Sequence, residues 1–263
     1  MNDKQQPTLR RQATLQGRVI WALTMREVIT RFGREGLGAF WLIAEPSMFV
    51  IGVMLIFSSI EKHPAYSIAE YLAVSYPTLL LWRNGTSRVT KALEINRALL
   101  HHQPIRPIDI FYSRILLEFS GGAFAFFFLF IIFIEIGICQ TPADILTMAC
   151  GYILVAWFSF NFVLMMAALS ELSETIERIS HIIIYLMLPF SGVFIPLFSV
   201  PSNYRKILLY FPLVDAVEYF HKGYYGARLK TYYDIPRTMF ELLFFSLFSL
   251  ALAAIAIKKF QET

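Results

Sequence analysis

Residues 119–137 read FSGGAFAFFFLFIIFIEIG, in which Glu135 is the one charged side chain. Residues 145–169 and 240–257 are almost as uniformly apolar. A helix that crosses a lipid bilayer needs about 20 consecutive apolar residues. These three runs therefore predict three membrane-spanning helices.

The composition of the whole chain agrees with this interpretation. Hydrophobic residues make up 57% of the 263 residues and charged residues only 16%, against about 45–50% and about 25% in ordinary soluble domains. The mean hydropathy is +0.56. These values exclude a soluble globular enzyme, a disordered chain and a disulfide scaffold. They leave enough apolar sequence for about six membrane spans.

We predict an all-α polytopic membrane protein. A cytoplasmic N-terminal segment, residues 1–36, precedes a domain of six transmembrane helices, residues 37–263. The predicted spans lie near 37–60, 69–92, 110–137, 145–169, 179–198 and 237–257.

Two of these spans depart from a simple apolar run. In the second, residues 68–82 would cover only about 22 Å of a hydrocarbon core of about 30 Å. The helix must therefore continue through Arg83 and Arg88 to cross. The fifth span is interrupted by three helix-breaking residues, Pro189, Gly192 and Pro196.

The distribution of positive charge predicts the orientation. Lysine and arginine concentrate on the cytoplasmic side of membrane proteins. Seven of them precede the first span and six lie between Arg83 and Arg114, which predicts that both termini are cytoplasmic.

Residues 199–236 should then lie outside. They carry five basic residues, but this does not contradict the orientation, because long loops are exported regardless of charge. Their apolar part, 207–220, is too short to span and predicts a re-entrant or interfacial hairpin before the last helix.

The N-terminal segment contains an amphipathic helix with a basic polar side. Its apolar stripe has helical spacing, and the opposite face is basic, which suits a helix lying in the cytoplasmic membrane interface. Such a helix either anchors the chain or also docks a cytoplasmic partner. The stripe is formed by Trp21, Met25, Val28, Ile29 and Phe32, and the basic face by Arg26, Arg31 and Arg34.

The sequence offers little for catalysis. It has no phosphate-binding loop, because it contains no Gly-Lys pair, and it has no nucleophile-elbow, zinc-protease or paired-cysteine motif. We predict no catalytic residue, no metal site and no nucleic-acid partner. Cys139 and Cys150 are interpreted as small apolar core residues, with a disulfide between them left open.

One stretch, residues 26–46, carries a resemblance. Its sequence REVITRFGREGLGAFWLIAEP resembles the N-terminal signature of type-2 ABC exporter permeases, and more narrowly the KpsM-like subfamily that exports capsular polysaccharide in Gram-negative bacteria. Three later stretches agree in order and spacing: NRALL from Asn96, SGVFIP from Ser191 and FPLVDAVE from Phe211. His101-His102-Gln103 departs from the lysine and aromatic residues common in relatives.

The resemblance implies a permease that forms a homodimer and pairs with two copies of a separate cytoplasmic ATPase. ATP and Mg²⁺ would be used by that ATPase, and this chain would bind no cofactor. The contact elements implied are the coupling loop 93–109 and a second cytoplasmic loop, 170–178. Their candidate residues are Asn96, Arg97, His101, His102, Pro104, Arg106, Glu171, Glu174 and Arg178.

Charged and aromatic residues suggest a path for the substrate. Arg83 would lie near mid-membrane, where an arginine costs at least about 2.5–3.5 kcal/mol, so it either pairs with Glu45 or Glu118 or lines a cationic path for an anionic polymer. Tyrosines and basic residues of 199–236 either sit at the membrane boundary or contact sugar rings and acidic groups. The candidate conduit residues are Arg83, Arg88, Tyr204, Lys222, Tyr224, Tyr225 and Arg228.

We therefore expect a multi-pass protein of the bacterial inner membrane that exports lipid-linked, acidic capsular polysaccharide. Its partners would be a second copy, the ATPase, a periplasmic co-export protein, membrane lipids and the anionic polysaccharide or glycolipid. The alternatives are an exporter of O-antigen, lipid or a small drug, and an integral-membrane enzyme that processes lipids or glycans.

Overall fold

The computed structural model describes residues 9–32, 66–101 and 105–262, together with positions 40, 44, 47–49, 51, 52 and 56. The longer stretches are α-helical, in agreement with the predicted all-α class. The α-helices are α1 Leu9–Phe32, α2 Ile68–Val89, α3 Ala92–Ile95, α4 Pro107–Glu135, α5 Ile145–Leu172, α6 Glu174–Met187, α7 Ser202–Leu208, α8 Pro212–Tyr225 and α9 Ile235–Glu262. Short 3-10 turns at Arg97–His101 and Leu197–Ser199 join them.

Within the described part of the chain, three helices are long and apolar enough to cross a membrane: α4, α5 and α9. They coincide with the third, fourth and sixth predicted spans. Their outer faces carry large exposed apolar side chains, such as Phe124, Ile131, Phe244 and Leu247. Such faces suit contact with lipid or with another apolar surface. The first predicted span, 37–60, falls mostly outside the described residues.

Helix α2 extends past its apolar run, as the second span requires. The Ser67 side chain accepts a hydrogen bond of 3.0 Å from the Glu70 amide and caps its start. The helix continues past Pro77 and Arg83 to Val89, and its 22 residues reach roughly 33 Å, enough for the hydrocarbon core. Lys91 then takes a left-handed backbone conformation, with φ of 55°, which turns the chain into α3.

The chain around the fifth predicted span differs from the prediction. The helix starts earlier, at Glu174, and ends at Met187, so only Ser173 separates it from α5 and the predicted loop 170–178 is largely helical. Residues 188–196 form turns instead of completing a span. Proline restricts the backbone there and Gly192 has φ of 73°, so a continuous helix cannot pass. The Tyr71 hydroxyl donates to the Gly192 carbonyl at 2.7 Å and holds these turns against α2.

The hairpin 199–236 contains the helices α7 and α8, and α8 is buried along most of its length. It packs against the first half of α5 with almost no space between the two backbones. A Cβ added at Gly223 would lie 2.1 Å from the Met148 amide nitrogen, and one at Gly151 would lie 2.4 Å from the Phe220 Cα atom. Backbone hydrogen bonds from Ala143 and Asp144 to α8 close the same contact.

Helix α1 packs along the first turns of α4. Gln16 donates a hydrogen bond to Asp109, and Arg114 lies 3.4 Å from Glu27. Of the predicted apolar stripe of α1, Trp21 and Ile29 are exposed, whereas Met25 and Val28 are half-buried. The side chains of Arg31 and Phe32, and all of Arg34, lie outside the described residues.

The two cysteine thiols are free, so the disulfide that the sequence left open is absent. Cys139 is buried and Cys150 is exposed. The interpretation of Cys150 as a core residue was therefore wrong, because its face of α5 points away from the rest of the chain.

Candidate functional site

Buried polar side chains gather where α2, α8 and the start of α9 meet. At the centre, the Ser75 hydroxyl lies 2.6 Å from Nε2 of His221. Glu218 lies one helical turn before His221 on α8, with its Oε1 atom 3.9 Å from Nδ1. All three side chains are at most 1% exposed. We call these residues the serine–histidine–glutamate cluster.

This cluster has the order of groups seen in hydrolases, but not their geometry. A triad needs the carboxylate within about 2.6–3.2 Å of the imidazole, and here the distance is 3.9 Å. The other carboxylate oxygen of Glu218 accepts a hydrogen bond of 2.9 Å from the Tyr232 amide. Ser75, which would have to be the nucleophile of such a triad, is also enclosed, since it is 0% exposed. The cluster therefore joins α2 to α8 and offers no surface on which a substrate could react.

A second connection between α2 and the hairpin centres on Glu70. Its carboxylate accepts a hydrogen bond of 2.8 Å from the Tyr224 hydroxyl and another of 3.2 Å from Arg228. The backbone amide of Gln140 in turn donates to the Tyr224 hydroxyl at 2.8 Å. Three segments that are far apart in sequence are thus linked through the Glu70 carboxylate and the Tyr224 hydroxyl.

Asp215 provides the third connection, from α8 to the start of α9. It is fully buried, and its Oδ2 atom accepts hydrogen bonds from Arg237 at 2.6 Å and from Thr238 at 2.8 Å. Burial raises the pKa of this carboxyl group, and the hydrogen bonds from Thr238 and Arg237 oppose that rise. Arg237 also lies 3.6 Å from Glu241. A buried charge paired in this way is costly to disrupt.

Beside these connections a pocket of about 760 Å³ opens on the surface. It is formed by the end of α8, the following turn and the start of α9. We call it the cationic pocket. It is lined by Leu209, Lys222, Gly226, Ala227, Leu229, Lys230, Thr231, Tyr232, Tyr233, Asp234 and Arg237.

The candidate conduit residues lie in different parts of the structure and do not form one continuous surface. Tyr224 and Tyr225 are buried and pack in the interior, whereas Tyr204 is exposed on α7. Arg228 is bound to Glu70, and Lys222 lines the cationic pocket.

The two arginines of α2 have polar partners. Arg83 donates a hydrogen bond of 3.0 Å to the Tyr76 hydroxyl. The Nε atom of Arg88 lies 3.6 Å from Glu118. The sequence suggested Glu45 or Glu118 as a structural partner for Arg83, and Glu45 lies outside the described residues.

The two predicted cytoplasmic contact elements touch each other. Glu171, at the end of α5, accepts a hydrogen bond of 2.8 Å from the Leu93 amide. Its neighbour Ser170 accepts one of 3.1 Å from the Lys91 amide. Both bonds satisfy amides at the start of α3, where a helix has no partners of its own. Helix α3 is thereby attached to α5.

The other candidate coupling residues surround this contact. Asn96 is buried and donates to the Ala92 carbonyl at 2.9 Å, and Arg26 of α1 donates to the Asn96 side chain at 3.5 Å. The Arg97 guanidinium lies 5.4 Å from the Phe260 ring of α9. Glu174, Arg178 and Arg106 are exposed. His102, Pro104 and the side chain of His101 lie outside the described residues.

Sequence reasoning missed most of the buried connections. Glu70, Ser75, His221 and Arg237 are not among the predicted site residues. The signal that could have found them is the run of ionisable residues at i, i+3 and i+6 on α8, at 215, 218 and 221. Over the residues described, no three His, Cys, Asp or Glu side chains gather as a metal would require.

Comparisons with known proteins agree with the resemblance. The family described as "ABC-2 type transporter" matches residues 18–225. A relative from Haemophilus influenzae, the capsule polysaccharide export inner-membrane protein BexB, is 33% identical over 230 residues, which cover 87% of each chain. The capsule polysaccharide export inner-membrane protein CtrC of Neisseria meningitidis serogroup B is 33% identical over 83% of each chain.

A more distant relative is the polysialic acid transport protein KpsM of Escherichia coli. It is 28% identical over 199 residues, which cover 75% of this chain and 77% of the relative.

Proposed function

The chain belongs to the ABC-2 type transporter family, and from this we propose that it is the membrane-spanning permease of an exporter of capsular polysaccharide. The observation that carries the proposal is the similarity to capsule export inner-membrane proteins along 87% of both chains. The three long apolar helices α4, α5 and α9 support a multi-pass location in the inner membrane. The proposed role is transport, not catalysis.

The proposed topology has six spans, both termini in the cytoplasm and the hairpin 199–236 in the periplasm. Residues 1–36 form the cytoplasmic segment, with α1 at the membrane interface, and residues 37–263 form the permease domain. The length of α2 supports the second span, and the exposed Trp21 and Ile29 of α1 support contact with lipid. Helix α6 and the turns after it would together occupy the place of the fifth span.

The energy for export would come from a separate ATPase. The sequence lacks a phosphate-binding loop, so ATP and Mg²⁺ would be bound by the partner and this chain would need no cofactor. Two copies of the chain around a twofold axis would pair with two ATPase subunits, and twofold pairing is the commonest symmetric arrangement. A polymer would then pass between the two permeases.

The attachment of α3 to α5 supports a route for the power stroke. A force applied to the loop 93–109 would reach α5 through Glu171 and Ser170. Since α5 packs against α8 almost backbone to backbone, the movement would continue to the hairpin. The hairpin helix could then open and close the periplasmic exit, where a co-export protein would receive the polymer.

The substrate proposed is a lipid-linked, acidic capsular polysaccharide. The net charge of +4 and the arginines of α2 suit an anionic polymer. The name of the Escherichia coli relative, a polysialic acid transport protein, points in the same direction.

Deletion of the gene in its own organism tests the proposal. We expect the deletion strain to lose capsular polysaccharide at its surface and to accumulate it inside, and a plasmid copy to reverse both effects. Purification of the tagged chain should also recover an ATPase subunit. Normal surface capsule in the deletion strain would contradict the proposal. A loss of O-antigen or of drug resistance with normal capsule would favour those alternatives.

A further inference from the structure

The cationic pocket has an excess of positive charge. Lys222, Lys230 and Arg237 line it, against the single carboxylate of Asp234. Arg237 is paired with the carboxylates of Asp215 and Glu241, neither of which lines the pocket. Neither lysine has a carboxylate partner in the part of the chain that the structure describes. Unlike Arg228, they remain available for an anion.

The contacts of the two lysines leave donors free for a ligand. Lys222 donates a hydrogen bond of 3.2 Å to the Gly226 carbonyl, which uses one of its three N–H groups. The Lys230 ammonium lies 5.3 Å from the centre of the Tyr232 ring, and the Arg205 guanidinium lies 4.0 Å from the same ring. The positive side chains are thus arranged around an aromatic face.

The size and lining of the cationic pocket suit a sugar unit. A volume of about 760 Å³ is within the usual range for small-molecule sites. The aliphatic lining is limited to Leu209, Ala227 and Leu229, and the other lining side chains are polar, charged or aromatic. Tyr233 is exposed and offers a ring on which a sugar can stack, and the tyrosine hydroxyl groups can bond to a sugar.

We infer that the cationic pocket binds the carboxylate or phosphate group of one acidic sugar unit of the exported polymer, with Lys222 and Lys230 as its charged contacts. This inference rests on the proposed function and specifies where at the hairpin the substrate is held. Charged hydrogen bonds of this kind are among the strong ones in proteins. The pocket would hold the polymer while the hairpin moves.

Binding to the full-length chain in nanodiscs of neutral phosphatidylcholine tests the inference. The probe is a fluorescent oligomer of sialic acid, compared with the same oligomer after its carboxylates are reduced to alcohols. We expect the acidic probe to bind, and Lys222→Gln/Lys230→Gln to weaken that binding about tenfold or more. Lys206→Gln is the matched control, because it removes an exposed lysine of α7 outside the pocket. The single variant Lys230→Glu, at an exposed position, keeps the test valid if the double variant misfolds.

Three results would overturn the inference. The first is equal binding of the acidic probe by wild type and by the pocket variants. The second is equal binding of the acidic and the reduced probe. The third is displacement of the probe by anionic phospholipid in the nanodisc, which would assign the pocket to a lipid phosphate. Failure of the proposed function would be seen separately, as normal capsule in the deletion strain.

Discussion

The Leu93 backbone amide donates a hydrogen bond of 2.8 Å to the Glu171 carboxylate. The two residues are 78 positions apart, yet this bond caps the first turn of α3 with a side chain from the end of α5. A capping contact of this kind is worth about 1 kcal/mol. It gives a short loop helix, which could not be stable alone, a fixed position on a long helix.

Replacement of Glu171 by alanine should therefore loosen the proposed coupling. We expect Glu171→Ala to lower polysaccharide export severalfold, with normal amounts of protein in the membrane and normal recovery of the ATPase. Glu171→Gln keeps a side-chain acceptor and should export nearly as well as wild type. The control is Glu262→Ala, which removes an exposed carboxylate at the end of α9. Export by Glu171→Ala at the wild-type rate would contradict the coupling role.

The contact between Ser75 and His221 should contribute to stability. Ser75→Ala leaves the buried Nε2 atom of His221 without its partner, which costs about 1–3 kcal/mol. We expect thermal unfolding in detergent at a lower temperature than for wild type, and export that falls only as far as protein level does. Ser120→Ala is the control, because that hydroxyl is exposed and bonds to its own helix. A loss of export at unchanged stability would instead indicate a chemical role for Ser75.

The close approach of α5 and α8 predicts strong effects at one glycine. In Gly223→Ala the new methyl group would lie 2.1 Å from the Met148 amide nitrogen, so one of the two helices must move. Overpacking of this kind costs about 1–3 kcal/mol or more. We expect little folded protein in the membrane, measured by fluorescence-detected size exclusion. Gly17→Ala, with nothing within 4 Å of the added atom, should leave the yield unchanged.

The long helices could be predicted from the sequence, because a helix in contact with lipid must be apolar along the length that crosses the membrane. Spans such as α4 and α9 need continuous apolar residues, and those runs can be read directly. The end of α6 was harder to place. Proline and glycine between 189 and 196 indicated an interruption. They did not predict the residue at which the helix ends or the helix against which the following turns pack.

The buried connections could not be predicted, because each joins residues distant in the chain. Tyr224 and Glu70 are 154 positions apart, and Ser75 and His221 are 146 apart. Local periodicity shows that α8 carries several ionisable groups, but their partners are fixed by the packing of α8 against α2 and α5. The cationic pocket is likewise produced by a turn, whose shape the composition of 199–236 does not reveal.

The two cysteines should differ in reactivity. Burial raises the pKa of the Cys139 thiol to about 12, so at pH 7.5 it holds more than about a hundredfold less thiolate than an ordinary cysteine. We expect N-ethylmaleimide to label the exposed Cys150 in the native, detergent-solubilised protein. Cys139 should react only after denaturation, as measured by peptide mass spectrometry. Equal labelling of both residues in the native protein would contradict the buried position of Cys139.

Arg83 offers the most direct test of the proposed conduit. Near the middle of a span, an arginine is expensive unless it faces protein or water, and here it donates to the Tyr76 hydroxyl at 3.0 Å. We expect Arg83→Ala to impair export while protein level and ATPase pairing stay intact, because the path loses a cation. Tyr76→Phe is the matched control, since it removes the acceptor and keeps the charge, and it should export almost normally. If Tyr76→Phe were as defective as Arg83→Ala, the hydrogen bond and not the charge would be what export requires. Normal export by Arg83→Ala would remove this residue from the conduit.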